Sequence, residues 1–107
     1  MDQILSLLGI AAKAGKVVSG EFSTEKAVKQ KKAFLVIVAG DASDNTRKLF
    51  TDKCRSYEVP VRIYSEKEPL AKAIGCTSRA SVGVTDEGFA KALLKKLDAL
   101  GREGPLP

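Results

Sequence analysis

Ala33-Phe34-Leu35-Val36-Ile37-Val38-Ala39 is apolar at every position and rich in β-branched side chains. A strand without polar alternation is buried on both faces, as in a sheet covered by helices on each side. Upstream, Ile4, Leu5, Leu7, Leu8, Ala11 and Ala12 recur at helical spacing and predict a buried helix face over about residues 2–14, ended by Gly15. Lys16-Val17-Val18-Ser19 reads as a short extended piece, and a second helix is expected from Ser19 or Gly20 to about Lys32.

Downstream, Gly40-Asp41-Ala42-Ser43 is a turn, with Ser43 or Asp44 placed to cap a helix over about 44–57 whose inner face holds Leu49, Phe50 and Cys54. Val59-Pro60-Val61-Arg62-Ile63-Tyr64 predicts a third strand, and a short helix follows over about 66–74. Ala80-Ser81-Val82-Gly83-Val84 predicts a fourth strand. Thr85 is expected to cap a last helix, with Asp86 and Glu87 in its first turn and Phe89, Leu93, Leu94, Leu97 and Leu100 along its apolar stripe. The expected domain covers residues 1–100, and residues 101–107 are expected to form a disordered tail. Helices alternating with short apolar strands imply an α/β domain with a central sheet between two helical layers.

Composition narrows the chemistry. The 107 residues suit one domain, and the 44% hydrophobic content suits a packed core. Histidine is absent, which excludes His-based acid–base catalysis and His-ligated metals. No nucleophile–base arrangement is visible without it, so no enzyme is expected. Cys54 and Cys76 are not spaced as a ligand pair and read as reduced thiols of a cytoplasmic domain. Asp41, Asp44 and Asp86 stand at helix starts, where isolated acids cap rather than hold Mg²⁺, and no metal or cofactor is expected. The longest apolar run, Ala33 to Gly40, is far shorter than the about 20 residues of a membrane span. The apolar N-terminal run follows Asp2 rather than Lys or Arg, unlike a secretory signal.

Charge is concentrated. Eighteen Lys and Arg against 13 Asp and Glu give a formal charge of +5, and the window Lys13 to Lys32 alone holds six lysines and two glutamates. A basic cluster favours a polyanionic partner. On the second helix, Thr24, Ala27 and Val28 fall on the one face fit for burial, which turns Phe22 outward beside Lys26 and Lys29. Two readings of Phe22 stand: a ring that stacks on an unpaired base, or a first-turn residue stapling the helix to the preceding segment.

Gly15-Lys16-Val17-Val18-Ser19-Gly20, Lys26-Ala27-Val28-Lys29 and Leu35-Val36-Ile37-Val38-Ala39-Gly40-Asp41-Ala42-Ser43 resemble the bacterial branch of the kink-turn-binding ribosomal protein superfamily. Asp52-Lys53-Cys54, Val59-Pro60-Val61 and Val84-Thr85-Asp86-Glu87-Gly88-Phe89-Ala90 resemble its YlxQ-like members in particular. The resemblance covers about residues 2–100 and implies a three-layer α-β-α sandwich with a central mixed four-stranded sheet that binds RNA. Kink-turn binders of this kind carry G-x-N-E-x-x-K at the start of the second helix. Here that register reads Gly20-Glu21-Phe22-Ser23-Thr24-Glu25-Lys26, so Gly20 and Lys26 match while Phe22 and Ser23 replace the Asn and Glu. Each good base contact so lost removes about 1–3 kcal/mol of discrimination. The second contact region implied by the resemblance is Gly75-Cys76-Thr77-Ser78-Arg79-Ala80, polar here and suited to phosphate and sugar.

The expected protein is a cytoplasmic, monomeric, non-enzymatic binder of ribosomal or other structured RNA, with the ribosome as one setting. Its expected site comprises Gly20, Phe22, Ser23, Lys26, Lys29, Lys32, Thr77 and Arg79. The alternative is a protein-interaction adaptor on the same fold, with Phe22 as an apolar anchor.

Overall fold

A computed structural model describes residues 2–103. Nine elements follow in the expected order: α1 (Gln3–Lys13), β1 (Val17–Ser19), α2 (Glu21–Lys29), β2 (Leu35–Val38), α3 (Asp44–Tyr57), β3 (Val61–Ile63), α4 (Lys67–Ala73), β4 (Ser81–Val84) and α5 (Glu87–Glu103). The strands form one mixed sheet in the order β1-β4-β2-β3. β2 runs parallel to β3, and β4 pairs antiparallel with both β1 and β2. All four residues of β2 are fully buried, as an uninterrupted apolar strand between two helical layers requires.

Alternation along the central strands divides the core in two. Leu35, Ile37, Val82 and Val84 point to one face and pack with Ile4, Leu8, Leu70 and Leu93 of α1, α4 and α5. Val36 and Val38 point to the other, against Ala27 and Val28 of α2 and Phe50 and Cys54 of α3. The result is a three-layer sandwich with α2 and α3 together on one side. Burial also pushes the Cys54 thiol up to about 11, so it stays protonated at neutral pH.

Five details differ from the sequence reading. α2 ends at Lys29 rather than near Lys32, because Lys31 turns left-handed (φ 58°) and reverses the chain. The cap of α5 is Asp86 rather than Thr85: its carboxylate accepts the Phe89 N–H at 2.9 Å. Leu100 leaves the buried stripe of α5 and is 46% exposed, since the helix overruns the body it packs on. Phe34, inside the apolar run, is 40% exposed because β2 begins one residue later. α5 continues through Glu103, past the boundary at Gly101 where the tail was expected. Residues 104–107 of that tail lie outside the described residues.

Helices α1 to α4 end in the same way. After each, one residue adopts φ between 58° and 81°, at Gly15, Lys31, Glu58 and Gly75. Each donates its N–H three residues back, and the next residue donates five back, as in Lys32 N to Ala27 O at 2.9 Å and Val59 N to Cys54 O at 2.8 Å. Glycine holds this position without strain, whereas a side chain there costs on the order of 1 kcal/mol. Two helices thus close on glycine, and the two of the α2–α3 layer close on charged residues. Glu58 is exposed, so Glu58→Gly is expected to stabilise the fold by about 0.5–1 kcal/mol. Urea unfolding at constant slope would register this as a higher midpoint.

Candidate nucleic-acid interface

Helix starts expose N–H groups that need acceptors. Asp2 accepts from Leu5 N at 2.7 Å on α1, Ser43 from Thr46 N at 3.1 Å on α3, and Asp86 from Phe89 N on α5. α4 borrows its acceptor, since Asp41 Oδ1 takes the Lys67 N–H at 2.8 Å. α2 has Gly20 at its cap and no side-chain acceptor. Among the described residues it is the one helix whose N-terminus is left open, and such an end attracts anions.

Gly20 is required there by backbone geometry. Its φ of 87° and ψ of 159° belong to a region essentially restricted to glycine. In that conformation its N–H donates to the Ser81 carbonyl at 3.0 Å, tying the helix start to β4. Thr24, Ala27 and Val28 are buried as their spacing predicts, and Phe22 is 79% exposed. A stapling role for Phe22 is therefore excluded, and its outward position follows from which face of α2 is buried.

The loop before β4 reaches this point. Arg79 Nε donates to Ser19 Oγ at 3.0 Å, and its Nη1 donates to the Ser78 carbonyl at 2.7 Å. The guanidinium is thus held beside the residue preceding Gly20, although the two residues are 60 positions apart. Among the described residues Arg79 and Lys26 enter no ion pair. Lys29 does, with Glu25 at 3.4 Å, and Glu25 also attracts Lys53 at 3.9 Å. Part of the field of Lys29 is therefore cancelled on its own helix.

Phe22, Ser23, Lys26 and Lys32 line one open groove of about 680 Å³. Lys29 lies on the adjoining flank with Phe22 and Glu25. Thr77 lines a different groove, of about 600 Å³, together with Asp41, Lys67, Glu68 and Lys72. The structure brings Arg79 to the start of α2 and leaves Thr77 apart. It also adds residues that sequence reasoning missed: Ser19, which orients Arg79, and Gln30, Lys31, Phe34 and Thr85, which line the first groove. Nothing local marks Ser19. Phe34 was hidden by the apolar run containing it, and Lys31 by the absence of a glycine. Among the described residues no three His, Cys, Asp or Glu are grouped to hold a metal ion, and no helix is long and apolar enough to cross a membrane.

Comparison with known proteins gives consistent results. The model of the "Ribosomal protein L7Ae/L30e/S12e/Gadd45 family" matches residues 2–94. The chain is 46% identical over 92 residues to "RNA-binding protein YlxQ" of Bacillus subtilis (strain 168), covering 86% of this chain and 92% of that protein. A protein of the same name from Enterococcus faecium is 43% identical over 91 residues, covering 84% and 86%. A solved structure of a protein of unknown function from Bacillus halodurans superposes with a TM-score of 0.89 at 40% identity, covering 92% of this chain and 99% of that one. The Giardia lamblia 15.5kD RNA binding protein shares the fold, with a TM-score of 0.78 at 22% identity, covering 94% and 92%.

The open helix start depends on Gly20, where an added β-carbon would meet nothing within 4 Å. The cost of Gly20→Ala is therefore conformational alone, and an unfolding titration should register a loss of about 1–3 kcal/mol.

Proposed function

We propose that this chain, which belongs to the ribosomal protein L7Ae/L30e/S12e/Gadd45 family, is a non-enzymatic RNA-binding protein that grips structured RNA through the start of α2 and the loop before β4. The observation that carries the reading is the uncapped N-terminus of α2, flanked by the exposed Phe22, Lys26 and the anchored Arg79. Support comes also from the relatives named as RNA-binding proteins.

Each part has a physical role. The free N–H groups at the helix start take a phosphate oxygen, and Gly20 lets the backbone approach without a side chain in between. Lys26 and Arg79 neutralise phosphates on either side, with Lys32 further along and Lys29 a weaker contributor because Glu25 shares it. Phe22 stacks on a base that is unpaired or splayed from a helix, which a kink or internal loop supplies and a regular duplex does not. Ser23 offers one hydroxyl to sugar or base edge, and Thr77 extends the polar surface. The target is ribosomal or other kink-turn-like RNA, bound in the cytoplasm by a monomer. Stacking and phosphate contacts dominate, so shape outweighs sequence in the choice of RNA.

With about four phosphates neutralised, log K against log salt should slope at about −3 to −4 on a kink-turn hairpin RNA. Lys26→Ala combined with Arg79→Ala should weaken binding at least tenfold and flatten that slope. Full affinity in the folded double variant would overturn the site. Salt-insensitive capture of a protein partner, with no RNA bound, would instead favour the adaptor reading. Glu25→Gln frees Lys29 and Lys53 and should tighten RNA binding by about two- to fivefold at low salt, a gain that disappears at high salt. Titrations at two ionic strengths check this.

A further inference from the structure

The chain has four phenylalanines. Phe50 is buried and Phe89 packs partly against the core, while the two exposed ones, Phe22 and Phe34, line the same groove. That groove follows the flank of α2 over β1 and is lined by Val18 and Thr85 of the sheet side, with no residue of α3. The helix along which it runs has nine residues and is about 13 Å long. Lys26, Lys31 and Lys32 line it too, none of them in an ion pair among the described residues, and no carboxylate does. The neighbouring groove before β4 differs, since Asp41 and Glu68 stand in it.

We infer that this groove holds a short single-stranded RNA segment, with bases stacked on Phe22 and Phe34 and phosphates met by Lys26, Lys31 and Lys32. The inference rests on the RNA-binding reading and extends it from the start of α2 to a strand leaving the structured site. Aromatic faces accept any unpaired base, and lysines track a phosphate backbone, so the segment is chosen by being single-stranded rather than by sequence. An apolar partner segment would leave three ammonium groups facing it uncompensated, which argues for the polyanion.

Lys31 reaches the groove through the turn that ends α2. It occupies the left-handed position that glycine fills without strain after α1 and α4. A lysine there lines the groove at a cost to the fold that Glu58 bears as well after α3.

The test uses fluorescein-labelled decauridine and, separately, a kink-turn hairpin RNA without single-stranded tails, each titrated by anisotropy. Phe34→Ala should weaken decauridine binding by about fivefold or more. Lys31→Gly should weaken it by about two- to fivefold and reduce the salt slope by about 0.7, with thermal stability unchanged or raised. Both variants should lose less affinity for the tail-free hairpin than for decauridine. Decauridine bound equally by both folded variants, or not bound at all while the hairpin binds, would overturn the groove and leave the structured-RNA reading standing. Failure to bind either RNA would overturn both.

Discussion

Helix α2 rests on β4 at Gly83, where a β-carbon would lie 3.0 Å from Val18 Cγ2 and 3.4 Å from Thr24 Cγ2. That missing side chain sets the depth at which α2 sits. Thr24 enters the gap and becomes fully buried, and the Gly20 N–H reaches the Ser81 carbonyl. Once the helix is fixed in depth and rotation, the outward direction of Phe22 and Lys26 follows from its geometry. Arg79, two residues before β4, then lies within reach of Ser19. The close fit has a cost, because the hydroxyls of Thr24 and Ser81 are buried there without a hydrogen-bond partner among the described residues. Such orphans are worth on the order of 1–3 kcal/mol each, and they sit directly beneath the candidate site.

Charge and caps divide the molecule in a related way. The three helices of the α1–α4–α5 layer begin on carboxylate acceptors. Polar ends there are satisfied internally, and an ion pair such as Arg62 with Asp98 at 2.8 Å ties α5 to the sheet edge. On the α2–α3 side, one helix start is open and two helix ends are strained. The surface least satisfied by the protein itself is the one with most to gain from a ligand.

Most of the architecture was legible because its signals are local. Gly15 ends α1, Ser43 caps α3, and the unbroken run through Leu35 to Val38 marks the doubly covered strand. Where the signal was ambiguous, tertiary geometry decided. Thr85 and Asp86 are both good caps; the chain is still tied to the sheet edge at Thr85, whose N–H donates to Lys16 O at 2.8 Å, and the helix starts at Glu87 behind Asp86. Lys31 gives no warning of a left-handed turn, so α2 reads three residues too long. At the site, helical periodicity predicted the exposed Phe22. The contact of Arg79 with Ser19 depends on how the sheet closes and was beyond reach of a local pattern, although the family resemblance brought Arg79 into consideration.

The order of strands has a consequence for how the protein comes into being. β4 is the last strand in the chain yet lies between β1 and β2, and it pairs with both. Until residues near 84 have been synthesised, β1 has no partner strand, α2 has no floor at Gly83, and the segment carrying Arg79 has nowhere to dock. A nascent chain stalled between β3 and β4 therefore exposes basic, apolar sequence without the assembled candidate site. The candidate interface is a property of the finished polypeptide, completed only when the central strand is in place.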